Sequence, residues 1–234
     1  MGETPQRMRI ATYNIHRAIG SDGLENPERI AAVLHELDAD IIALQEVGYA
    51  SGTPGNALEY FGESIQARVI EGATLQDERG HYGNAVLSRV PINSFQLHDI
   101  SVNGREPRGA IELSLLLNDI ELQIIATHLG LRPGERRHQV ERLIPLLAAS
   151  TADVKILLGD LNEWFLWGRP LRRLHRVFGQ TPAPATFPVR WPWFALDRLW
   201  VQPLSVMNSL RAHKSDMSIL ASDHLPLLAE LYIR

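Results

Sequence analysis

The chain has 234 residues, a net charge of −4, 45% hydrophobic residues and no cysteine. These values are typical of a globular protein long enough to bury about 70% of its unfolded surface, and they exclude disulfide frameworks, thiol nucleophiles and thiolate metal sites. The negative net charge does not support broad, non-specific binding of nucleic acid, although the chain could still carry a local basic patch.

The first half of the chain combines apolar strands with one clear helix. Residues 26–37 predict a helix, because Asn26 can cap it, Pro27 suits the first turn and apolar residues recur on one face. Residues 48–62 predict a loop with room for a short helix. Strands are predicted over residues 8–16, 39–47, 82–91 and 92–100.

The second half continues with several consecutive strands. Residues 118–119 predict a hairpin turn between two of them, and a Pro-rich loop spans residues 181–193. Helices are predicted over residues 133–150 and 169–179. Strands are predicted over residues 108–117, 120–129, 154–160, 195–201, 204–210 and 224–233. This order indicates mixed sheets covered by helices, an α+β or α/β layered fold. We expect one domain over residues 8–234 after a flexible segment of residues 1–7.

The stretch ILLGDLNEWF, residues 156–165, ends an apolar strand on polar side chains. In an extended backbone, alternate side chains share a face. Asp160 and Asn162 could therefore converge on one point while Leu161 turns into the core. A plain turn is the alternative, since Gly, Asp and Asn are ordinary turn residues.

Other strand ends carry residues that bind hard cations or move protons. Asn14, Glu46 and Asp160 offer hard oxygen donors, which favour Mg²⁺ or Mn²⁺ over zinc. Asp197 and His224 could form a carboxylate–imidazole pair in which the histidine takes a proton from water. Each residue alone could be a surface, cap or turn residue, but the coincidence of all of them is hard to explain by chance.

Seven motifs carry a resemblance to a known family. TYNIH, ADIIALQEV, YGNAVLSR, ATHL, LLGDLN, LDRLWV and SDHLPL occur from about residue 8 to residue 233. Their order and approximate spacing resemble the endonuclease/exonuclease/phosphatase superfamily, and QE, GDLN and SDH together are highly specific. The resemblance implies a four-layer sandwich, with two mixed β-sheets face to face and helices outside. It also implies Mg²⁺-dependent hydrolysis of a phosphoester.

The resemblance also implies roles for individual residues. The implied catalytic set is His128, Asp160, Asn162, Asp197 and His224. The implied metal-site set is Asn14, Glu46 and Asp223. Substrate binding is predicted for Asn84, Arg105 and Arg108. A guanidinium can hold a phosphate with two donors, and the alternative for the two arginines is solvated loop charge. His128 would donate a hydrogen bond to a phosphoryl oxygen, and His224 with Asp160 would prepare the attacking water.

The substrate is less constrained than the chemistry. ATHL has a histidine where abasic-site repair enzymes of the family typically carry tyrosine, and no long insertion suited to gripping duplex DNA is apparent. These features favour the deoxyribonuclease, sphingomyelinase and inositol-phosphatase side of the family. A small or lipid-linked phosphoester is the first hypothesis. An endonuclease acting on DNA or RNA is the second, and a catalytically silent binding module is the third.

Residues 163–179 and 186–194 combine arginines with tryptophans and phenylalanines. Such segments could bind a lipid interface by aromatic insertion and basic contact, or stack bases and hold phosphates. Alternatively, most of the aromatics are core residues and the arginines form a solvated face. With no apolar stretch of about 20 residues and no apolar signal-peptide core, we expect a cytoplasmic protein, with peripheral membrane contact left open.

Overall fold

The computed structural model describes residues 5–50, 55–78 and 80–233. Within these residues, eleven strands form two sheets. The strands are β1 Gln6–Asn14, β2 Ile41–Tyr49, β3 Arg68–Asp77, β4 Gly80–Ser88, β5 Ser94–Asp99, β6 Gly109–Leu117, β7 Ile120–His128, β8 Val154–Asp160, β9 Asp197–Gln202, β10 Met207–Ala212 and β11 Leu227–Ile233. The α-helices are α1 Pro27–Leu37, α2 Ala57–Ser64, α3 Pro133–Ala149, α4 Arg169–Phe178 and α5 Asp216–Ala221.

Both sheets are mixed, as predicted. The six-stranded sheet has the order β10-β11-β1-β2-β4-β3, and the five-stranded sheet has the order β5-β6-β7-β8-β9. One parallel pair occurs in each, β1 with β2 and β7 with β8. One apolar core lies between the sheets, a second joins the six-stranded sheet to α1, α2 and α5, and a third joins the five-stranded sheet to α3 and α4. The predicted four-layer sandwich is confirmed.

Local signals explain the best-predicted elements. Asn26 caps α1, and its side chain accepts a hydrogen bond from the backbone N–H of Arg29 over 3.1 Å. Asn118 and Asp119 both have positive φ, which is the geometry of a tight two-residue hairpin turn. Among the residues that the structure describes, no helix is long and apolar enough to span a bilayer.

The predicted flexible segment of residues 1–7 is wrong at its end. β1 begins at Gln6, which pairs with Ile233, and Arg7 pairs with Tyr232. The side chain of Arg7 also donates from Nε to Glu230 over 2.9 Å. Both residues are therefore part of the six-stranded sheet, whereas residues 1–4 lie outside the described part of the chain.

Gly159 shows how closely β7 and β8 approach beside the polar end of β8. Its φ is 145°, and a Cβ at this position would overlap the carbonyl oxygen of Thr127. Replacing Gly159 by alanine is therefore expected to lower the free energy of unfolding by about 3 to 5 kcal/mol. Urea unfolding measures the change. Gly134→Ala, in the first turn of α3 with no close neighbour, should change stability by less than about 1 kcal/mol. Equal effects of the two substitutions would contradict this explanation.

Candidate active site

Neighbouring strands of the five-stranded sheet bring three polar residues side by side. The register pairs His128 at the end of β7 with Asp160 at the end of β8, and Asp160 with Asp197 at the start of β9. All three side chains are buried. Asn14, at the end of β1 in the other sheet, donates from Nδ2 to Oδ2 of Asp160 over 3.0 Å. The two sheets therefore share one cluster of polar groups.

Glu46 reaches this cluster from a bulge in β2. The register between β2 and β4 shifts between Leu44 and Val47, and Glu46 has a φ of 57°, in the left-handed region. Bulges beside functional sites re-aim a side chain in this way. Asn14 also donates from Nδ2 to Oε1 of Glu46 over 3.0 Å. One amide nitrogen therefore holds the carboxylates of Glu46 and Asp160 close together.

Glu46 and Asp160 have the chemistry that a hard divalent cation requires. Two carboxylates suffice for Mg²⁺, which keeps several waters, and the amide between them carries no charge. A second group, Asp160, Asp197 and His224, places potential ligand atoms within 4.8 Å of one another. In that group, Nδ1 of His224 lies only 2.9 Å from Oδ2 of Asp197, so these two side chains already bind each other. We therefore favour Glu46 and Asp160 as the ligand pair.

His224 and Asp197 form the carboxylate–imidazole contact that their motifs indicate. Thr186 also donates from Oγ1 to Oδ2 of Asp197 over 2.6 Å, which fixes the carboxylate. The other ring nitrogen of His224, Nε2, lies 3.9 Å from Oδ2 of Asp160. The ring of Phe187 packs against the imidazole with centroids 4.8 Å apart. His224 is thus held in one orientation with Nε2 directed to the cluster.

Opposing effects act on the pKa of His224. Burial lowers it, but the carboxylates of Asp197, Asp160 and Asp223 outweigh burial and raise this pKa to about 10. The ring is therefore protonated at neutral pH when only the protein charges act on it. A divalent cation beside Asp160 would oppose the carboxylates and lower the pKa again. A cation bound at that position would therefore change the charge state of the ring.

His128 lies on the other side of Asp160, between a guanidinium and an amide. Nη1 of Arg108 is 2.9 Å from Nδ1 of His128, and Nδ2 of Asn162 is 3.0 Å from its Nε2. Burial, followed by the positive charge of Arg108, lowers the pKa of His128 to about 3, although Asp160 acts in the opposite direction. Because a guanidinium only donates, Nδ1 must accept. The neutral ring therefore carries its proton on Nε2, 3.6 Å from Oδ2 of Asp160, and the amide nitrogen of Asn162 beside it cannot also donate to Nε2.

Asn162 joins the cluster by a route that differs from the predicted one. β8 ends at Asp160, and Asn162 has a φ of 51°, so the expected extended backbone is wrong at this residue. A turn forms instead, in which the backbone N–H of Asn162 donates to Oδ1 of Asp160 over 2.8 Å. Its side chain donates to the carbonyl of Leu129 over 2.9 Å. Leu161 is buried, as expected.

The predicted substrate-binding residues lie in different surroundings. Arg105 is half-exposed and pairs with Glu135, with Nε 3.1 Å from Oε1. Asn84 is buried and donates from Nδ2 to the carbonyl of Gly109 over 3.1 Å. Arg108 is buried against His128 and also lines a cleft of about 480 Å³ between β3, β5 and β6. Of the three, only Arg108 contacts the polar cluster, and the binding roles of all three stay predictions.

The metal-site residues also differ among themselves. Asn14 directs its nitrogen at the carboxylates, while its oxygen accepts from the backbone N–H of His16 over 3.0 Å. An amide nitrogen is no ligand for a hard cation, so in this orientation Asn14 positions the carboxylates. The side chain of Asp223 is 41% exposed, and its Oδ1 lies 3.9 Å from Nδ1 of His16. No hydrogen bond links it to Glu46 or Asp160 among the described contacts.

Several supporting residues were not predicted. Thr186 fixes Asp197, Phe187 packs on His224, and Ser222 donates from Oγ to the backbone carbonyl of Asn14 over 2.8 Å. Thr186 and Phe187 belong to the TFP stretch of the Pro-rich loop. Nothing in their spacing indicates which strand they face. Ser222 directly precedes Asp223 in SDH, so its closeness to the motif was the available signal.

The chain matches a known family over most of its length. Residues 11–224 match the model described as the Endonuclease/Exonuclease/phosphatase family. A curated relative, the uncharacterized protein YbhP of Escherichia coli strain K12, is 30% identical over an alignment of 245 positions, and the alignment covers 96% of each chain.

Solved structures share the fold at low sequence identity. The endonuclease/exonuclease/phosphatase family protein from Bacteroides thetaiotaomicron has a TM-score of 0.79 and 17% identity, covering 99% of this chain and 100% of its own. The human Nocturnin catalytic domain, solved with a bound sulfate anion, has a TM-score of 0.71 and 17% identity, covering 97% of this chain and 95% of its own. Likeness at this identity extends to the fold alone.

Proposed function

The chain belongs to the endonuclease/exonuclease/phosphatase family, and we propose that it is a divalent-cation-dependent hydrolase of a small or lipid-linked phosphoester. Members of this family are generally metal-dependent hydrolases of phosphoesters. The observation that carries the proposal is the placement of Asp160. Asn14 contacts its Oδ2, Nε2 of His128 lies 3.6 Å from that oxygen, and Nε2 of His224 lies 3.9 Å from it.

Glu46 and Asp160 would hold the cation, which we propose to be Mg²⁺ or Mn²⁺. A bound cation of this kind supplies Lewis-acid polarisation of the phosphoryl group and screens charge on the leaving oxygen. Asn14 contributes by holding the two carboxylates together. The placement of Asp223 supports a more distant role, as an acid that adds negative potential near His224.

His224 is proposed to take the proton of the attacking water at Nε2. Asp197 holds Nδ1 of the ring and stabilises the imidazolium that forms, and Thr186 keeps Asp197 in place. Since the protein carboxylates alone keep His224 protonated, base catalysis by this ring requires the offsetting positive charge at Glu46 and Asp160. Proton transfer and cation binding would therefore depend on each other.

His128 and Asn162 are proposed to bind the charge that develops on the phosphoryl oxygens. The proton on Nε2 of His128 needs an acceptor, and a phosphoryl oxygen beside Asp160 would supply one. Arg108 fixes this tautomer and adds positive potential close by. The cleft beside Arg108 has room for a substrate group. Arg105 and Asn84 are proposed to act only at the periphery, since Glu135 and Gly109 already engage them.

Cation removal tests the proposed activity directly. Purified protein with Mg²⁺ or Mn²⁺ is expected to hydrolyse a chromogenic phosphodiester or phosphomonoester. EDTA should reduce the rate to the uncatalysed background, and excess Mg²⁺ should restore it. Initial rates with and without chelator measure the effect, and supercoiled DNA in parallel tests the nuclease alternative. Hydrolysis that persists in EDTA would contradict cation dependence, and DNA nicking without ester hydrolysis would favour a nuclease.

A further inference from the structure

Two loops beside the active site expose an unusual set of large apolar side chains. We name this surface the aromatic rim and define it by Trp164, Phe165, Leu166, Trp167, Trp191 and Trp193. The four tryptophans are 40%, 69%, 75% and 79% exposed, in chain order. The fifth tryptophan of the chain, Trp200, is fully buried. Clustered exposed apolar side chains mark interaction sites, whereas isolated ones are ordinary.

The aromatic rim is continuous with the active site. The ring of Trp164 packs edge-on against Phe187 and Phe194, with centroids 5.8 Å and 4.8 Å apart. Phe187 in turn packs against His224 with centroids 4.8 Å apart. The ring of Phe187 therefore connects the proposed base to Trp164, so a molecule bound at this part of the rim lies next to the reacting groups.

Charge sets the same segment apart. Residues 164–196 include the whole rim and carry five arginines but no aspartate or glutamate. All 27 acidic residues of the chain lie elsewhere, against 18 of its 23 lysines and arginines. Arg173 pairs with Glu141. The remaining four, Arg169, Arg172, Arg176 and Arg190, have no ion pair among the described residues. A protein of net charge −4 thus contains one segment that is basic and also carries the exposed tryptophans.

From this combination we infer that the aromatic rim binds an anionic phospholipid bilayer and that the active site acts on a lipid phosphoester presented there. The second part rests on the proposed function. Tryptophan favours the zone between lipid headgroups and acyl chains, and arginines beside an apolar face bind anionic headgroups. A bilayer would bury both Phe165 and Leu166. A nucleic-acid strand could stack bases on the aromatic rings but would offer no such contact to the aliphatic Leu166.

Local structure favours docking without rearrangement. Backbone hydrogen bonds join Phe187 to Phe194 over 3.1 Å and 2.9 Å, so the loop that carries Trp191 and Trp193 is closed at its base. Pro188 and Pro192 restrict the backbone between them. A preordered loop loses little conformational entropy on binding. The tryptophans are therefore already placed for insertion.

Vesicle binding by the full chain tests the inference. Sedimentation with vesicles of phosphatidylcholine alone and of phosphatidylcholine with 30% phosphatidylglycerol is expected to show binding to the anionic vesicles. Because four of five tryptophans lie in the rim, their emission should shift to shorter wavelength on binding. Trp191→Ala/Trp193→Ala should weaken binding by about tenfold or more. Arg172→Gln/Arg176→Gln should weaken it about 25-fold, taking about fivefold for each charge.

Matched control variants distinguish binding by the rim from non-specific binding to vesicles. Phe95→Ala removes an aromatic that is 48% exposed on β5, and Arg211→Gln/Lys214→Gln removes two exposed charges outside residues 164–196. Both controls should bind vesicles like the wild type. Rim variants should hydrolyse the water-soluble chromogenic ester at the wild-type rate but lose hydrolysis of phosphatidylglycerol in vesicles. His224→Ala should bind vesicles and hydrolyse neither substrate.

The outcomes distinguish this inference from the proposed function. Ester hydrolysis without vesicle binding would overturn the inference and leave the proposed function standing. Vesicle binding without hydrolysis of any ester would remove the proposed function and the lipid substrate with it. Rim variants that instead lose binding to a fluorescent single-stranded oligonucleotide would overturn the inference in favour of a nucleic-acid surface. Loss of binding in the control variants to the same degree would overturn it as well.

Discussion

Replacing His224 by alanine is expected to lower kcat/KM for a chromogenic phosphodiester by about a hundred- to ten-thousandfold. That range is typical for the loss of a general base. His224 directs Nε2 at the cluster around Asp160, and no other described side chain pairs with Asp197 in the same way. Steady-state kinetics at saturating Mg²⁺ measure the loss, and thermal unfolding reports whether the fold survives.

A second variant guards against misfolding. Alanine at position 224 leaves the buried carboxylate of Asp197 with only Thr186 as a partner, which is costly. In His224→Asn, the amide can still donate to Asp197 from the position of Nδ1, but no atom replaces Nε2. This variant should keep wild-type stability and show the same loss of activity. His138→Ala, on an exposed site of α3, should change neither. Near-normal turnover in a folded His224→Asn protein would contradict the assigned base.

The sequence predicted most of the fold because most elements carry local signals. α1 has a capping asparagine, a proline in its first turn and an apolar face, and the hairpin between β6 and β7 has an Asn-Asp turn. β3 had no such signal. It is an edge strand, and it contains Glu71 and Gly72, both poor strand formers. Its place depends on pairing with β4 and on Gly72 allowing close contact with Ile111 of the other sheet.

Short elements were missed for a related reason. α5 has six residues, and Ser215 caps it through a reciprocal bond with Ser218. A helix so short draws its stability from tertiary contacts, here with α1. The predicted strand over residues 204–210 was wrong at its start, because Leu204–Val206 forms a 3₁₀ turn before β10 begins. Sequence periodicity cannot distinguish such a turn from the beginning of a strand.

The candidate site likewise contains residues that the sequence predicted and contacts that it did not. Residues at strand ends were found because each lies at the end of an apolar strand within a motif of the family, and the structure then places His128, Asp160 and Asp197 on adjacent strands in matching register. What the sequence did not reveal depends on contacts between distant segments. Glu46 is directed into the site by a bulge in β2. Thr186 donates to Asp197, and Arg108 contacts His128. No local sequence pattern indicates the bulge or either contact. The side-chain types were predictable, but the partners that orient them were not.

Those partners determine which protonation states the site can hold. His128 and His224 flank the same carboxylate, yet the pKa of the first is lowered to about 3 and that of the second raised to about 10. Burial acts on both rings in the same direction. The difference arises because Arg108 faces one ring and Asp197 the other. Two histidines on one carboxylate thus suit different tasks, donation by His128 and proton exchange by His224.

Asp160→Asn is expected to abolish most activity, with a loss of about a thousandfold or more in kcat/KM. The substitution keeps the shape of the side chain and an oxygen that can accept from the backbone of Asn162. It removes the negative charge that we propose binds the cation. It also removes one of the carboxylates that raise the pKa of His224. The activity should therefore fall and the Mg²⁺ concentration for half-maximal rate should rise. Initial rates across a Mg²⁺ titration measure both effects.

Asp153→Asn is the matched control, since Asp153 is an exposed aspartate just before the opposite end of the same strand. It should leave the rate and the Mg²⁺ dependence unchanged. If Asp160 and His224 serve one step, the double variant Asp160→Asn/His224→Asn should be no slower than about the worse single variant, because groups that act as a unit are not additive. Multiplicative losses would mean that the carboxylate and the imidazole act independently. An unchanged Mg²⁺ dependence in Asp160→Asn would contradict the assignment of Asp160 as a cation ligand.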